Sequence, residues 1–124
     1  AVLNTSSIAG VTGIGSSVAY AATKGALNTM TLSLARALAP EIRVNAICPG
    51  FIGTRWFKDK MDEEQYQRME ASVAAATPLN VASGPDDIAD SALFFLTDAS
   101  RHVTGETLLV DAGTHLGYAP LTAR

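Results

Sequence analysis

Apolar and polar positions fall into two kinds of block along this chain: short apolar runs, and longer stretches with a three- and four-residue rhythm. Ala1 to Thr5 is a short apolar run and predicts a strand. From Ser17 to Leu38 no proline interrupts, and Ala, Leu and Met, all good helix formers, predominate. Leu27, Met30, Leu34 and Leu38 recur at helical steps and form one stripe. Ala22, Gly25, Ala26 and Ala37 widen that stripe with small side chains, which predicts a helix packed on a sheet and on a second helix. Ser16 or Ser17 caps its start and Pro40 ends it. Glu41 to Ile47 predicts a second strand, closed by Cys48-Pro49-Gly50. Gly84-Pro85-Asp86-Asp87 opens a helix to about Thr97, with proline at its first position and acids in its first turn. Thr107 to Val110 is the third strand, and Asp111-Ala112-Gly113 turns out of it.

Two connections are longer. Asn4 to Gly15 is rich in Ser, Thr and Gly and reads as a loop. Phe51 to Thr77 carries Phe51, Trp56, Phe57, Met61, Tyr66 and Met69 among many charges, with Asp62 capping a helix to about Ala75. An excursion of that length with exposed-looking aromatics reads as a lid over a site. Thr114 to Arg124 shows no period.

Strand, helix, strand, helix, strand predicts an α/β fold: part of a doubly wound parallel sheet, with about three strands and two to three main helices. Three strands are few for such a sheet, and Ala1 to Thr5 would be a bare edge. The chain also opens inside an apolar run with no polar lead-in, so the reading expects a piece of a longer protein.

Composition narrows the function. With 124 residues, 48% of them hydrophobic and 17% charged, the chain suits one domain with a buried core. A net charge of -3 gives no electrostatic reason to coat nucleic acid or an anionic membrane. No run approaches the ~18 apolar residues of a membrane span, and no export signal is legible. One cysteine allows no internal disulfide and fits a reducing, cytoplasmic setting. Cys48 reads as a small buried residue, and His102 and His115 lie apart without ligand spacing, so no metal site is expected.

The chemistry concentrates at Tyr20-Ala21-Ala22-Thr23-Lys24. Residues four apart on a helix share a face. A phenol alone is a poor acid or base at neutral pH, and a nearby ammonium favours its ionised form. That pairing makes a general acid–base; the plainer alternative is a surface tyrosine beside a solvated lysine. Ser7, at the end of the first strand, can donate to a charged substrate oxygen, or can be a turn serine. Pro49-Gly50 follows the second strand at the carboxyl edge of the sheet, where open parallel sheets bind ligands. Gly13-Ile14-Gly15-Ser16-Ser17-Val18 fails the dinucleotide fingerprint, having Val where the third glycine belongs. It reads instead as a loop positioning Ser7 and Tyr20.

Taken in order, these residues resemble the C-terminal half of a short-chain dehydrogenase/reductase, over nearly the whole chain. Asn4-Thr5-Ser6-Ser7 is similar to the strand ending in the family's catalytic serine, and Tyr20 to Lys24 to its Tyr-x-x-x-Lys. Arg43 through Gly50, followed by Ile52 and Thr54, is similar to its sixth strand and Pro-Gly turn. Pro85 to Ala89 and Thr104 to Gly113 are similar to its later helix and last strand, with Ala112 where a second glycine is common.

The resemblance implies a partial Rossmann-like fold, with residues 1–124 in one domain and 51–77 as the substrate lid. It implies an NAD- or NADP-dependent oxidoreductase interconverting an alcohol and a ketone by hydride transfer. Tyr20 would be the acid–base. Lys24 would make that phenol a better proton donor and hydrogen-bond the nicotinamide ribose. Ser7 would orient the substrate oxygen. Ile52 and Thr54 would meet the nicotinamide carboxamide beside Pro49 and Gly50, and Phe51 and Trp56 would contact substrate. A homodimer or homotetramer is implied as well. The family's glycine-rich phosphate loop, ribose selector and catalytic asparagine would all precede residue 1, so the chain alone is expected to be nearly inactive. The alternative is a non-enzymatic oligomerisation module of the same fold. A hydrolase using Ser7 lacks a histidine base.

Overall fold

Six consecutive buried residues, Val44–Pro49, form the central strand, β2. It pairs in parallel with β1, Val2–Thr5, on one side and β3, Thr107–Val110, on the other, in the order β1-β2-β3. The register sets Val2 against Val44 and Ala46 against Thr107. The computed structural model describes residues 1–117. Their helices are α1 (Ala9–Thr12), α2 (Val18–Leu38), α3 (Arg55–Lys58), α4 (Glu63–Ala75) and α5 (Pro85–Leu96), with single turns of 3-10 helix at Asp98–Ser100 and Thr114–Leu116. The predicted α/β architecture with a parallel sheet is therefore the observed one.

Successive residues of a strand face opposite sides, so β2 serves two layers. Ile47 joins Ile88 and Phe95 of α5 in the apolar core, with Leu3, Ile52, Val103 and Val110 packed around them. The opposite face meets α2: Cys48 Sγ lies 3.6 Å from Asn28 Oδ1, and Asn4 Nδ2 donates to Thr31 Oγ1 at 2.9 Å. That face corrects the expected packing of α2. Its fully buried positions are Thr31 and Ala35, while Met30 is exposed and Leu27, Leu34 and Leu38 are half-covered. Small residues allow close approach to the strand, so the leucine and methionine stripe lies to one side of the contact.

Three boundaries also differ from expectation. β2 starts at Val44, not Glu41, because Ile42 N is drawn back to Leu38 O, extending the turn after α2. It also continues through Pro49. The predicted loop from Asn4 to Gly15 contains one helical turn, α1, ended by Gly13 in the left-handed conformation at φ 74°. Ser17, of the two candidate caps, accepts from Tyr20 N at 3.1 Å. Asp62 and Gln65 close a capping box on α4.

Buried polar groups brace β2 from the amino side. The Arg43 guanidinium donates to Ser100 Oγ at 2.8 Å, Thr97 O at 3.1 Å and Val103 O at 3.3 Å. Asn45, fully buried, donates to Val103 O and accepts from Glu106 N. These bonds satisfy the loop that carries the chain from α5 into β3, where unpaired polar atoms would be costly.

Ala112 adopts φ 55°, a left-handed conformation that strains a residue with a Cβ. The departure from glycine noted in the sequence thus has an energetic consequence. Ala112→Gly is expected to stabilise the fold by about 1 kcal/mol. Urea unfolding measures it, and an unchanged or lower midpoint would contradict the strain.

Candidate active site

The carboxyl ends of β1 and β2 are tied together. Ser6 N donates to Ile47 O at 2.7 Å and Ile8 N to Pro49 O at 3.0 Å, so Ser7 sits beside the Pro49-Gly50 turn. The Ser7 hydroxyl accepts from Ala9 N at 3.1 Å, and Ser7 is half-buried. Helix α2 is anchored to the same point. Lys24 Nζ donates to Thr5 O at 2.9 Å, at the last residue of β1.

Tyr20 and Lys24 lie on the same side of α2, with Nζ 5.7 Å from the centroid of the Tyr20 ring. Tyr20 remains 39% exposed, so the ring is not walled off. Ring and ammonium therefore stand together near the strand tips, as their spacing predicts, and the lysine is held by a backbone carbonyl rather than left to solvent.

Two further residues, given no role in the sequence, set this arrangement. Ser6, buried, donates its hydroxyl to Lys24 O at 3.2 Å. Gly10 lets α1 rest directly on α2: a Cβ there would stand 2.5 Å from Lys24 C and 2.7 Å from Lys24 O. Gly15 is similarly tight, its Cβ position 2.7 Å from Ala9 Cβ and 3.4 Å from the Tyr20 ring. Gly15 thus lies against the Tyr20 ring. A glycine among other loop glycines announces nothing, because its contact is with a helix residue fourteen positions away.

The glycine of the Pro-Gly turn stands against the residue that follows β3. A Cβ on Gly50 would come within 2.8 Å of Asp111 Cβ, so its smallness admits the end of β3. Asp111, itself buried, accepts from Gly113 N and His115 N and lies 2.9 Å from His115 Nδ1. Cys48, below the same edge, is buried, and burial pushes its thiol up despite hydrogen bonds from Ser6 and Ser7. It is the inert small residue expected.

Beyond β2 the lid segment splits into two packed pieces. Ile52 packs on the apolar core, and Thr54 precedes α3 with its side chain making no capping bond. Phe51 and Trp56 both turn onto Phe57, with centroids 5.0 Å and 4.7 Å away, and Lys60 Nζ stacks 3.3 Å from the Trp56 ring. Trp56 is 63% exposed. Tyr66, expected among the exposed aromatics, is buried instead. Its hydroxyl donates to Glu70 and fills the space left by Gly53, which fixes α4 against the segment holding Ile52 and Thr54.

Among the described residues no cluster of His, Cys, Asp or Glu is placed to hold a metal ion, and no helix is long and apolar enough to cross a membrane.

Known proteins share this arrangement. A family model described as Enoyl-(Acyl carrier protein) reductase matches residues 1–115. The short-chain dehydrogenase/reductase homolog YusR of Bacillus subtilis is 40% identical over 116 residues, covering 94% of this chain and 84% of that protein. A solved 4-hydroxyisoleucine dehydrogenase complexed with NADH superposes with a TM-score of 0.79 at 27% identity, over 94% of this chain and 47% of its own. A small-chain dehydrogenase in complex with NADPH gives 0.80 at 30% identity, over 93% of this chain and 51% of its own. Other curated relatives are likewise spanned to only 40–50% of their length. With this match over residues 1–115, the chain belongs to the short-chain dehydrogenase/reductase family.

Proposed function

We propose that this chain carries the catalytic residues of an NAD(P)-dependent oxidoreductase that interconverts an alcohol and a ketone, with Tyr20 as general acid–base. The observation that supports it best is the Lys24 ammonium, held on Thr5 O at the tip of β1 and 5.7 Å from the Tyr20 ring. Relatives solved with NADH and with NADPH support the choice of cofactor, and neither is preferred over the other.

The residues at the strand tips suit a nicotinamide riboside. Lys24 has three N–H donors and spends one on Thr5 O, which leaves two for ribose hydroxyls. The Thr54 hydroxyl, free of a capping bond, suits a carboxamide. A bound nicotinamide supplies the hydride donor or acceptor. In ketone reduction, Tyr20 gives its hydroxyl proton to the substrate oxygen as the carbonyl carbon takes up hydride. In alcohol oxidation the same phenolate receives the proton. Ser7 donates to that oxygen and stabilises its developing charge. Phe51 and Trp56, gathered on Phe57, form an apolar surface for the substrate's carbon skeleton. The setting proposed is the cytoplasm.

The 124 residues by themselves are expected to bind dinucleotide poorly, since the dehydrogenases solved with NADH and NADPH are about twice as long. A nicotinamide fluorescence titration of this chain measures that, and micromolar affinity would contradict it. Turnover of the Tyr20→Phe enzyme tests the assignment of the acid–base.

A second reading draws on the surface of α2, along which Val18, Met30 and Leu32 are exposed. These side chains favour self-association into a dimer or tetramer, and a module that only associates would keep its function when Tyr20 is replaced.

A further inference from the structure

At the amino edge of the sheet, opposite the ends that carry Ser7 and Gly50, a cavity of about 250 Å³ opens between the turn after α2 and the loop entering β3. Its lining carries Arg43, Arg101 and His102 together with the apolar Pro40, Ile42 and Val103, and no carboxylate. Neither guanidinium has a salt-bridge partner among the described residues, whose ion pairs all lie elsewhere. Arg43 is half-buried and spends three bonds on Ser100, Thr97 and Val103, leaving part of its five-donor fork unused. Thr97 O and Val103 O, beside the guanidinium, accept from Arg43. A partly desolvated cation without a counter-charge favours an anion, and both arginines line the one space.

We propose that this cavity binds a small organic anion, a carboxylate or phosphate monoester on a short apolar body. Arg101 and the free edge of Arg43 hold the anionic group, and Pro40, Ile42 and Val103 cover the apolar part. The site stands apart from the oxidoreductase reading and survives if that reading fails.

Titration of the 124-residue chain with hexanoate, hexyl phosphate and hexanol, followed by amide NMR shifts, tests it. Saturable shifts centred on residues 39–43 and 101–104 are expected with at least one of the two anions, and the tighter of them identifies the head group. Arg101→Ala should weaken that binding about tenfold, as loss of a charge-assisted bond would. The exposed Arg101 side chain leaves the fold unaffected by this change. Absence of saturation with both anions, equal binding of hexanol, or indifference to Arg101→Ala would each overturn the site.

Discussion

Replacing Tyr20 by Phe is expected to lower kcat/KM of the enzyme containing this chain by about 10²–10⁴-fold, the range a positioned acid–base contributes. The substitution removes one oxygen and leaves the ring packed beside Gly15, so the fold and any association should be unchanged. Lys24→Ala should cost a similar factor and also weaken cofactor binding, because in the proposed function its ammonium serves both the phenol and the ribose. Steady-state kinetics of both variants, with sedimentation to follow association, make the comparison. Retained turnover in Tyr20→Phe would remove the acid–base assignment and favour the association module.

The largest effect on stability is expected at Phe95, which is 1% exposed and stands in the core with Ile47 and Ile88. Phe95→Ala should cost about 3–5 kcal/mol, combining lost burial with the cavity left behind. That is a large share of the stability of a domain of this size. Ile52 packs on the same cluster, so the change also loosens the segment that ends in Thr54. Chemical denaturation should show the midpoint falling steeply, and a loss below 1 kcal/mol would mean the site collapses without a void.

The two substitutions act at opposite ends of one construction. Phe95 holds α5 on one face of β2, and Lys24 holds α2 at the edge of the other. A parallel sheet brings its strand ends to one line, and helices packed on both faces bring side chains to that line. Ser7, Lys24 and Pro49 meet there although they are scattered through 43 residues of sequence.

Much of this was legible in the sequence. The third strand and α5 follow from local signals, apolar runs and helix starts, which act over a few residues. Tyr20 and Lys24 were legible because helix periodicity alone places them on one face. The segment after β2 was legible as a long aromatic stretch, yet the burial of Tyr66 was not, since its partner space comes from Gly53 across a turn. The buried face of α2 was misread for a related reason. Apolar size marks a stripe, but contact with a strand selects small residues such as Thr31 and Ala35.

By itself the sequence determined the order of the main strands and helices and the placing of phenol beside amine, because each depends on neighbours within about one helical turn or one strand, and the alternation of strand and helix in turn implied a parallel sheet. Tertiary structure alone decided that Gly10 seats α1 on Lys24, that Gly50 makes room for Asp111, and that Arg43 and Arg101 share a cavity. Those contacts join residues far apart in the chain, and which atoms compete for the same space is fixed only when the layers close.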